Sequence, residues 1–367
     1  MTRQSLLLSF NCQLVVYLTS PEIFVKLALI SYSHHGLGIA RTARELGHNI
    51  VGVAEAEPDP LAQLVAEFGC PGFADARSCL DGCQADAVLV CGTHVEIPNH
   101  ILACIERHLP FLVDKPFADC ADRLRPVAEE ATRLGVPNAL ALPNRATRLT
   151  EIVQRMRDDG SLGDLVLYGS RLCNGSPARY DPTPSYWHNN STVSGGGCWA
   201  TESSHGIDTF LQFSSDSPWE VIGAVLSNSL HERSVEDSAI GMIRTETGIT
   251  GVIETGYTFP PGGWGGDHFF RFVGTKAQIF LTYNEKHEHI ISVHTRDGVT
   301  FSKDIDHRTR MRAIIEAGLA AVGSGQTFDP DITQAVRILE IQDAVYAHAR
   351  QSGLTNGPHP MDPPPAH

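Results

Sequence analysis

Between Lys26 and Leu142, short uninterrupted apolar runs alternate with stretches whose apolar residues recur at helical spacing. The runs are Lys26–Ser31, Asn49–Ala54, Ala87–Val90, Phe111–Val113 and Asn138–Leu142, with a short segment near Phe73. Unbroken apolar runs of this length are what strands buried on both faces of a parallel sheet look like. Helices are expected between them: one running through Gly47, then Pro60–Phe68, one opening at Pro98 and reaching Arg107, and Ala121–Leu134. Strand alternating with helix predicts a doubly wound parallel sheet, an α/β fold.

After Arg145 the rhythm changes. A helix is expected over Leu149–Asp159, a strand over Leu165–Arg171, then a long loop over residues 174–198 and a helix over Cys198–Phe213. Alternating strands follow: Glu220–Ser227, Ala239–Thr245, Thr250–Thr258, His268–Gly274, Gln278–Thr282 and His289–His294. Helices near Arg310–Ala321 and Pro330–Gln351 close the pattern. Strands in succession with few helices predict a second, α+β domain with a large mixed or antiparallel sheet. The expected division is residues 1–25 as an extension outside the fold, 26–143 as the first domain, 144–353 as the second, and 354–367 as a proline-rich, disordered tail. Residues 1–25 hold apolar clusters, but Ser9, Asn11 and Gln13 break them. The segment is expected neither to span a bilayer nor to act as a secretory signal.

Composition narrows the chemistry. The formal net charge of −14 speaks against a nucleic-acid surface, which needs a basic patch to meet phosphates. None of the nine cysteines forms a Cys-x-x-Cys pair, and the number is odd. That fits reduced thiols in a cytoplasmic protein, with no disulfide framework and no metal site.

The strand Phe111–Val113 stops at Asp114-Lys115-Pro116, because proline cannot continue a central strand. Lys115 therefore sits at a carboxyl strand end, the edge at which open α/β sheets bind ligands. It can bind an anion or polarise a hydroxyl there; a solvated strand-end lysine is the alternative. At the first strand, Ser31-Tyr32-Ser33-His34-His35-Gly36 leads into a helix, and Glu55 follows the second strand. This is the dinucleotide-binding βαβ layout, with an acid about 20 residues on. Its fingerprint is reduced: Ser31 and Ser33 stand where the first two glycines would be, and Gly36 is the third. A serine hydroxyl can bond a phosphate, and the helix amino terminus adds a positive dipole end. Glu55 can bond both ribose hydroxyls and repels a 2′-phosphate, favouring NAD over NADP; a solvated loop glutamate is the alternative.

With these pieces placed, the chain resembles the glucose–fructose oxidoreductase/inositol dehydrogenase (Gfo/Idh/MocA) family over about Val25–Gly353. The shared features run in order: the βαβ unit with Glu55, Thr93 with Pro98 and His100, and Asp114-Lys115-Pro116 where most members have Glu-Lys-Pro. Then come Pro143-Asn144-Arg145, Gly160-Ser-Leu-Gly163, Gly195-Gly196-Gly197 with His205 and Asp208, and Gly274-Thr275-Lys276. The resemblance implies an N-terminal Rossmann domain and a C-terminal α+β domain that binds substrate and oligomerises.

It also implies site residues. The family's catalytic lysine falls on Lys115, and its Gly-Gly-Gly-x-x-x-Asp-x-x-x-His motif maps onto Gly195–Gly197, Thr201 and His205. Thr201 replaces the usual aspartate. Four apart on a helix, Thr201 and His205 share a face, whereas Glu202 points about 100° away. The cofactor set is then Ser31, Ser33, His34, His35, Gly36, Glu55, Thr93, His94, His100, Asp114 and Lys115, with His94 standing where relatives commonly carry proline. The substrate set is Lys115, Asn144, Arg171, Trp187, His188, Thr201 and His205, in a pocket expected between the first sheet's edge and the long loop. Tyr180, Tyr186 and Asn190 crowd that loop, as aromatic sugar-binding groups or as residues that simply order it. The implied activity is NAD-dependent dehydrogenation of a sugar, inositol or related cyclic alcohol. An NAD-using glycoside hydrolase and a catalytically silent sensor share the fold and remain alternatives. A large apolar sheet face implies a homodimer or homotetramer.

Overall fold

The computed structural model describes residues 24–33, 35–177, 187–214, 216–231, 233–259, 266–353 and 355–356. They fall into two compact units. The first comprises the chain up to Ala146 together with His307–Arg337, the second Thr147–Asp306 together with the chain from Ile338.

The first unit runs β1 (Lys26–Ile30), α1 (Gly36–Glu45), β2 (Asn49–Ala54), α2 (Pro58–Phe68), β3 (Gly72–Phe73), α3 (Ala76–Gly82), β4 (Ala87–Val90), α4 (Ile97–Ile105), β5 (Phe111–Val113), α5 (Ala121–Leu134) and β6 (Asn138–Leu140). The strands form one six-stranded sheet in the order β3-β2-β1-β4-β5-β6, every pair parallel. This is the doubly wound arrangement expected, and the fully buried β4 and β5 carry the unbroken apolar runs that announced it. Helix α3 was not foreseen; Asp75 caps it by accepting the Ser78 N–H at 2.9 Å. Strand β6 is shorter than the expected Asn138–Leu142. The Leu142 N–H turns back onto the Leu140 carbonyl, and a 3-10 turn starts at Pro143, which has no N–H for the ladder.

The second unit runs α6 (Arg148–Asp158), β7 (Leu165–Asn174), α7 (Ser191–Ser194), α8 (Cys198–Ser214), β8 (Trp219–Ser227), β9 (Ser238–Thr245), β10 (Thr250–Gly256), β11 (Gly266–Gly274), β12 (Ala277–Tyr283), β13 (His289–Thr295) and β14 (Gly298–Lys303). Later in the chain come α9 (His307–Gly323), which belongs to the first unit, α10 (Ile332–Gln351), which begins in the first unit and continues into the second, and β15 (Thr355–Asn356) of the second. Its nine-stranded mixed sheet has the order β14-β13-β12-β11-β7-β10-β9-β8-β15. One face is covered by α8. The Tyr168 hydroxyl on β7 donates to the Gly206 carbonyl at 2.9 Å, and Phe213 meets Phe272 of β11 edge-on. Gly206 and Gly251 let helix and sheet approach, since a Cβ on either would lie 2.4 Å from Ser170 Oγ or 2.8 Å from Phe210 respectively. The opposite face leaves Val225, Ile240 and Met242 exposed.

The expected cut near residue 143, with all of 144–353 in one domain, is corrected by α9. Its Gly318 sits against Leu112 of β5 and Ala139 of β6. The following segment seals the free edge of β6: Phe328 N–H donates to Asn138 O, Leu140 N–H to Pro330 O, and Ile332 N–H to Asn138 Oδ1 at 2.8 Å. A parallel sheet needs both faces and its edges covered, so the chain returns to the first unit to do it.

Asn138 is the pin of that return, with its amide also donating to Val136 O. Asn138→Ala leaves the Ile332 N–H and Val136 C=O buried without these partners. It should destabilise the protein by about 2–4 kcal/mol, read as a lower denaturant midpoint; an unchanged midpoint contradicts the role given to Asn138.

Candidate functional site

In the first unit the strand ends fall on one line. Ser31 N–H donates to Ala54 O, Cys91 N–H to Ile30 O, Asp114 N–H to Val90 O and Ala141 N–H to Val113 O, all at 2.8–3.1 Å. Glu55, Ser31, Cys91 and Asp114 are therefore neighbours along the carboxyl edge. The strand order reverses between β1 and β4, where such sheets hold ligands.

The loop after β1 is built around Ser31, which adopts φ 61°, a left-handed conformation few non-glycine residues take. Its hydroxyl donates to Glu55 Oε2 at 2.8 Å and accepts the Ser33 N–H at 3.1 Å. Glu55 also accepts the Tyr32 and Glu57 N–H groups, each at 3.3 Å. The Ser31 hydroxyl thus lies on the carboxylate, not directed at a phosphate as the sequence suggested. Gly36 is obligatory: a Cβ there would sit 2.5 Å from Ser31 O and 3.2 Å from Cys91 Cβ. It opens α1, whose N-cap His35 places Nδ1 3.1 Å from Asp114 Oδ2. His34 lies outside the described residues. A glycine-tight turn, an open helix amino terminus and an anchored, half-buried acid suit a dinucleotide.

Beyond the line, Asp114 and Lys115 are each 2 % exposed and His94 is fully buried. Thr93 donates its hydroxyl to Glu96 Oε2 at 2.5 Å, starting α4. Gly92, at φ 143°, passes the His100 ring, where a Cβ would be 3.1 Å from Nε2. Burial pushes the His100 imidazole pKa down, so it favours the neutral ring. Asn144 is buried in the 3-10 turn Pro143–Ala146.

In the second unit the triple glycine has a steric explanation. Gly195 ends α7 at φ 72°; a Cβ on Gly196 would lie 1.9 Å from the Tyr346 hydroxyl, and one on Gly197 2.0 Å from Glu236 O. These partners fasten the start of α8. Glu236 Oε1 accepts from Gly197 N–H and Trp199 N–H, both at 2.9 Å, and from the Tyr346 hydroxyl at 2.7 Å, while Ala200 N–H donates to the Tyr346 oxygen. Burial pushes both the Glu236 carboxyl and the Tyr346 phenol upward in pKa. Neither residue was singled out from the sequence; nothing in local spacing links positions 196, 236 and 346.

So held, α8 carries Thr201 and His205 on one face. By helical geometry, Gly206 on the sheet side is about 140° from Thr201. Thr201 donates its hydroxyl to Gly197 O at 2.9 Å, and Glu202 is buried toward the sheet flank. The Trp187 and His188 rings meet tilted at 59°, with centres 3.8 Å apart. Asn190 is a structural cap, accepting the Thr192 N–H. Tyr180 and Tyr186 lie outside the described residues. Arg171 requires a correction. Tyr168 and Ser170 face α8, so strand alternation turns Arg171 to the opposite face, where it pairs with Asp267 at 2.7 Å and lies over Phe269. The α8 side instead offers a group the sequence reading passed over: His268 bridges Asn174 Oδ1 and the Tyr283 hydroxyl, each at 3.0 Å, with His289 stacked on Tyr283.

Comparison with known proteins adds two family-model matches. An oxidoreductase family with an NAD-binding Rossmann fold matches residues 28–140, and the GFO/IDH/MocA C-terminal domain matches residues 150–280. No curated protein matches. Among solved structures, a levoglucosan dehydrogenase in complex with NADH and levoglucosan is similar at 18% identity and TM-score 0.74, over 89% of this chain and 98% of that one. A 3-ketoreductase from Actinomadura kijaniata, in complex with NADP and TDP-benzene, gives 17% identity and TM-score 0.72 over 89% and 98%. An oxidoreductase from Agrobacterium radiobacter in complex with NAD+, L-tartaric acid and magnesium gives 15% and 0.76 over 89% and 97%. At these identities the likeness establishes the fold.

The Glu236 bracket makes a pH prediction. A carboxyl whose pKa is raised by folding stabilises the folded state at low pH and loses that contribution as pH climbs past its unfolded value. As pH rises above the ordinary carboxylate range, the wild-type Tm should therefore fall relative to that of Glu236→Gln. Parallel Tm curves contradict this.

Proposed function

Because the chain belongs to the Gfo/Idh/MocA family of NAD-binding oxidoreductases, we propose that it transfers a hydride between a secondary alcohol of a sugar, inositol or related cyclic polyol and NAD. The observation that carries this reading is Lys115, buried at the carboxyl end of β5 on the same sheet edge as the Ser31–Gly36 turn and Glu55.

Each residue has a task. NAD, when bound, supplies the hydride acceptor. Ser33, Gly36 and the amino terminus of α1 line the pyrophosphate, and Glu55 receives the ribose diol while repelling a 2′-phosphate, so NAD is preferred. Lys115 donates a hydrogen bond to the alcohol oxygen and stabilises the alkoxide charge that develops there. His205 takes the hydroxyl proton as general base. Thr201 cannot ionise; with its own proton on Gly197 O, it offers an oxygen that accepts from a substrate hydroxyl. Asn144, Trp187 and His188 orient the ring, a cyclic polyol presenting hydroxyls to the polar groups and C–H faces to the indole. Levoglucosan, the ligand of one similar structure, is such a compound.

The exposed Val225, Ile240 and Met242 on the open sheet face support a homodimer or homotetramer assembled there. Light scattering should give at least a dimer; a monomer at micromolar concentration contradicts this. The eight described cysteines are thiols, which supports a reducing, cytoplasmic setting. Among the described residues no helix is long and apolar enough to cross a membrane.

The activity test is NADH absorbance with NAD and a panel of aldoses, inositols, sugar acids and anhydrosugars. At least one polyol should reduce NAD. Lys115→Met should lower kcat about 10²–10³-fold, and His205→Asn about 10²–10⁴-fold. No turnover despite tight NAD binding contradicts the dehydrogenase reading, and sugar cleavage without net NADH points to a hydrolase of the same fold.

A further inference from the structure

We propose that Ser31 is a positioning residue that locks Glu55 onto the adenosine ribose diol and so sets the preference for NAD over NADP. This rests on the cofactor assignment above and assigns the discrimination to a second residue. Two independent features of Ser31 support it. Its backbone is left-handed at φ 61°, a conformation glycine would adopt without strain. Strain of this kind persists where the surroundings enforce it and is concentrated at functional sites. What serine brings that glycine lacks is the hydroxyl, and both sides of it are engaged: the O–H donates to Glu55 Oε2 at 2.8 Å, and the oxygen accepts the Ser33 N–H at 3.1 Å.

Of the hydrogen bonds Glu55 accepts among the described residues, the one from Ser31 is the shortest, the others being backbone N–H groups at 3.3 Å. The glutamate chain has freely rotating torsions, and it ends here in a half-buried carboxylate beyond the last residue of β2. The Ser31 hydroxyl turns that swinging group into a fixed one. A fixed carboxylate meets a vicinal diol with little ordering cost, which favours NAD. It also stays in place against the dianionic 2′-phosphate of NADP, whereas a loose carboxylate rotates away and admits it. Serine at the first glycine position is thus a specificity device that uses the glycine's conformation.

The experiment measures Kd for NADH and for NADPH by nicotinamide fluorescence, together with Tm, and needs no substrate. The variants are Ser31→Ala, Ser31→Gly, Glu55→Gln and the double variant Ser31→Ala/Glu55→Gln. Ser31→Ala should weaken NADH about tenfold and leave NADPH unchanged or tighter. Ser31→Gly should show the same loss of preference with a Tm above that of Ser31→Ala, because only the strain differs between them. In the Glu55→Gln background, removing the hydroxyl should leave the NADH-to-NADPH ratio unmoved. Equal weakening of both dinucleotides by Ser31→Ala overturns the proposal, as does a shift that survives in the Glu55→Gln background. Failure of the wild type to bind either dinucleotide overturns the cofactor assignment itself.

Discussion

Parallel strands in register end on a common line, and the chemistry of the first unit depends on that line. The β1–β4–β5 pairing sets Ser31, Cys91 and Asp114 side by side, and β2 adds Glu55 next to Ser31. No loop has to search for this arrangement; the backbone ladder delivers it once the apolar runs are buried. Burial on both faces is the condition for such a ladder. It explains why α9 leaves the second half of the sequence to pack on β5 and β6, and why the Asn138 side chain and the residues after Phe328 close the sheet's last edge. Lys115, next after Asp114 at that edge, is 2 % exposed.

In the second unit the corresponding constraint is the bracket that Glu236 and Tyr346 place on the first turn of α8. Free N–H groups at a helix start need acceptors. Here a buried carboxylate takes those of Gly197 and Trp199, and a phenol oxygen takes that of Ala200. Gly196 and Gly197 follow from the closeness of those partners, and Gly195 from the left-handed turn that ends α7. The orientation of Thr201 and His205 follows from the helix so fixed. The bracket is thus the means by which residues 30 or more positions away in sequence govern the side chains assigned to substrate.

The sequence disclosed much of this because the relevant signals are local. The apolar runs of β1, β2, β4 and β5, Pro116 after Lys115, and the acid after β2 all lie within windows that periodicity and turn chemistry read directly. The replacement of aspartate by Thr201 was visible for the same reason. What stayed hidden depends on long-range packing: the return of α9, the role of Glu236 and Tyr346, and the His268–Tyr283–His289 group. Arg171 was misassigned because adjacency to a loop was read without strand alternation, and one residue's offset moves a side chain to the other face. Ser31 was recognised as a departure from glycine, but its partner was taken to be a phosphate, since only the folded β1–β2 pairing brings Glu55 within 2.8 Å.

The central claim is direct hydride transfer to NAD from a carbon-bound hydrogen of a polyol whose oxygen Lys115 holds. It is tested most directly by isotope. The polyol that supports turnover is supplied deuterated at its ring carbons, and the NADH formed is analysed by mass spectrometry and NMR. The account predicts that deuterium appears on C4 of the nicotinamide, with label transfer falling in step with turnover in Lys115→Met. Unlabelled NADH, with deuterium lost to solvent, would contradict it.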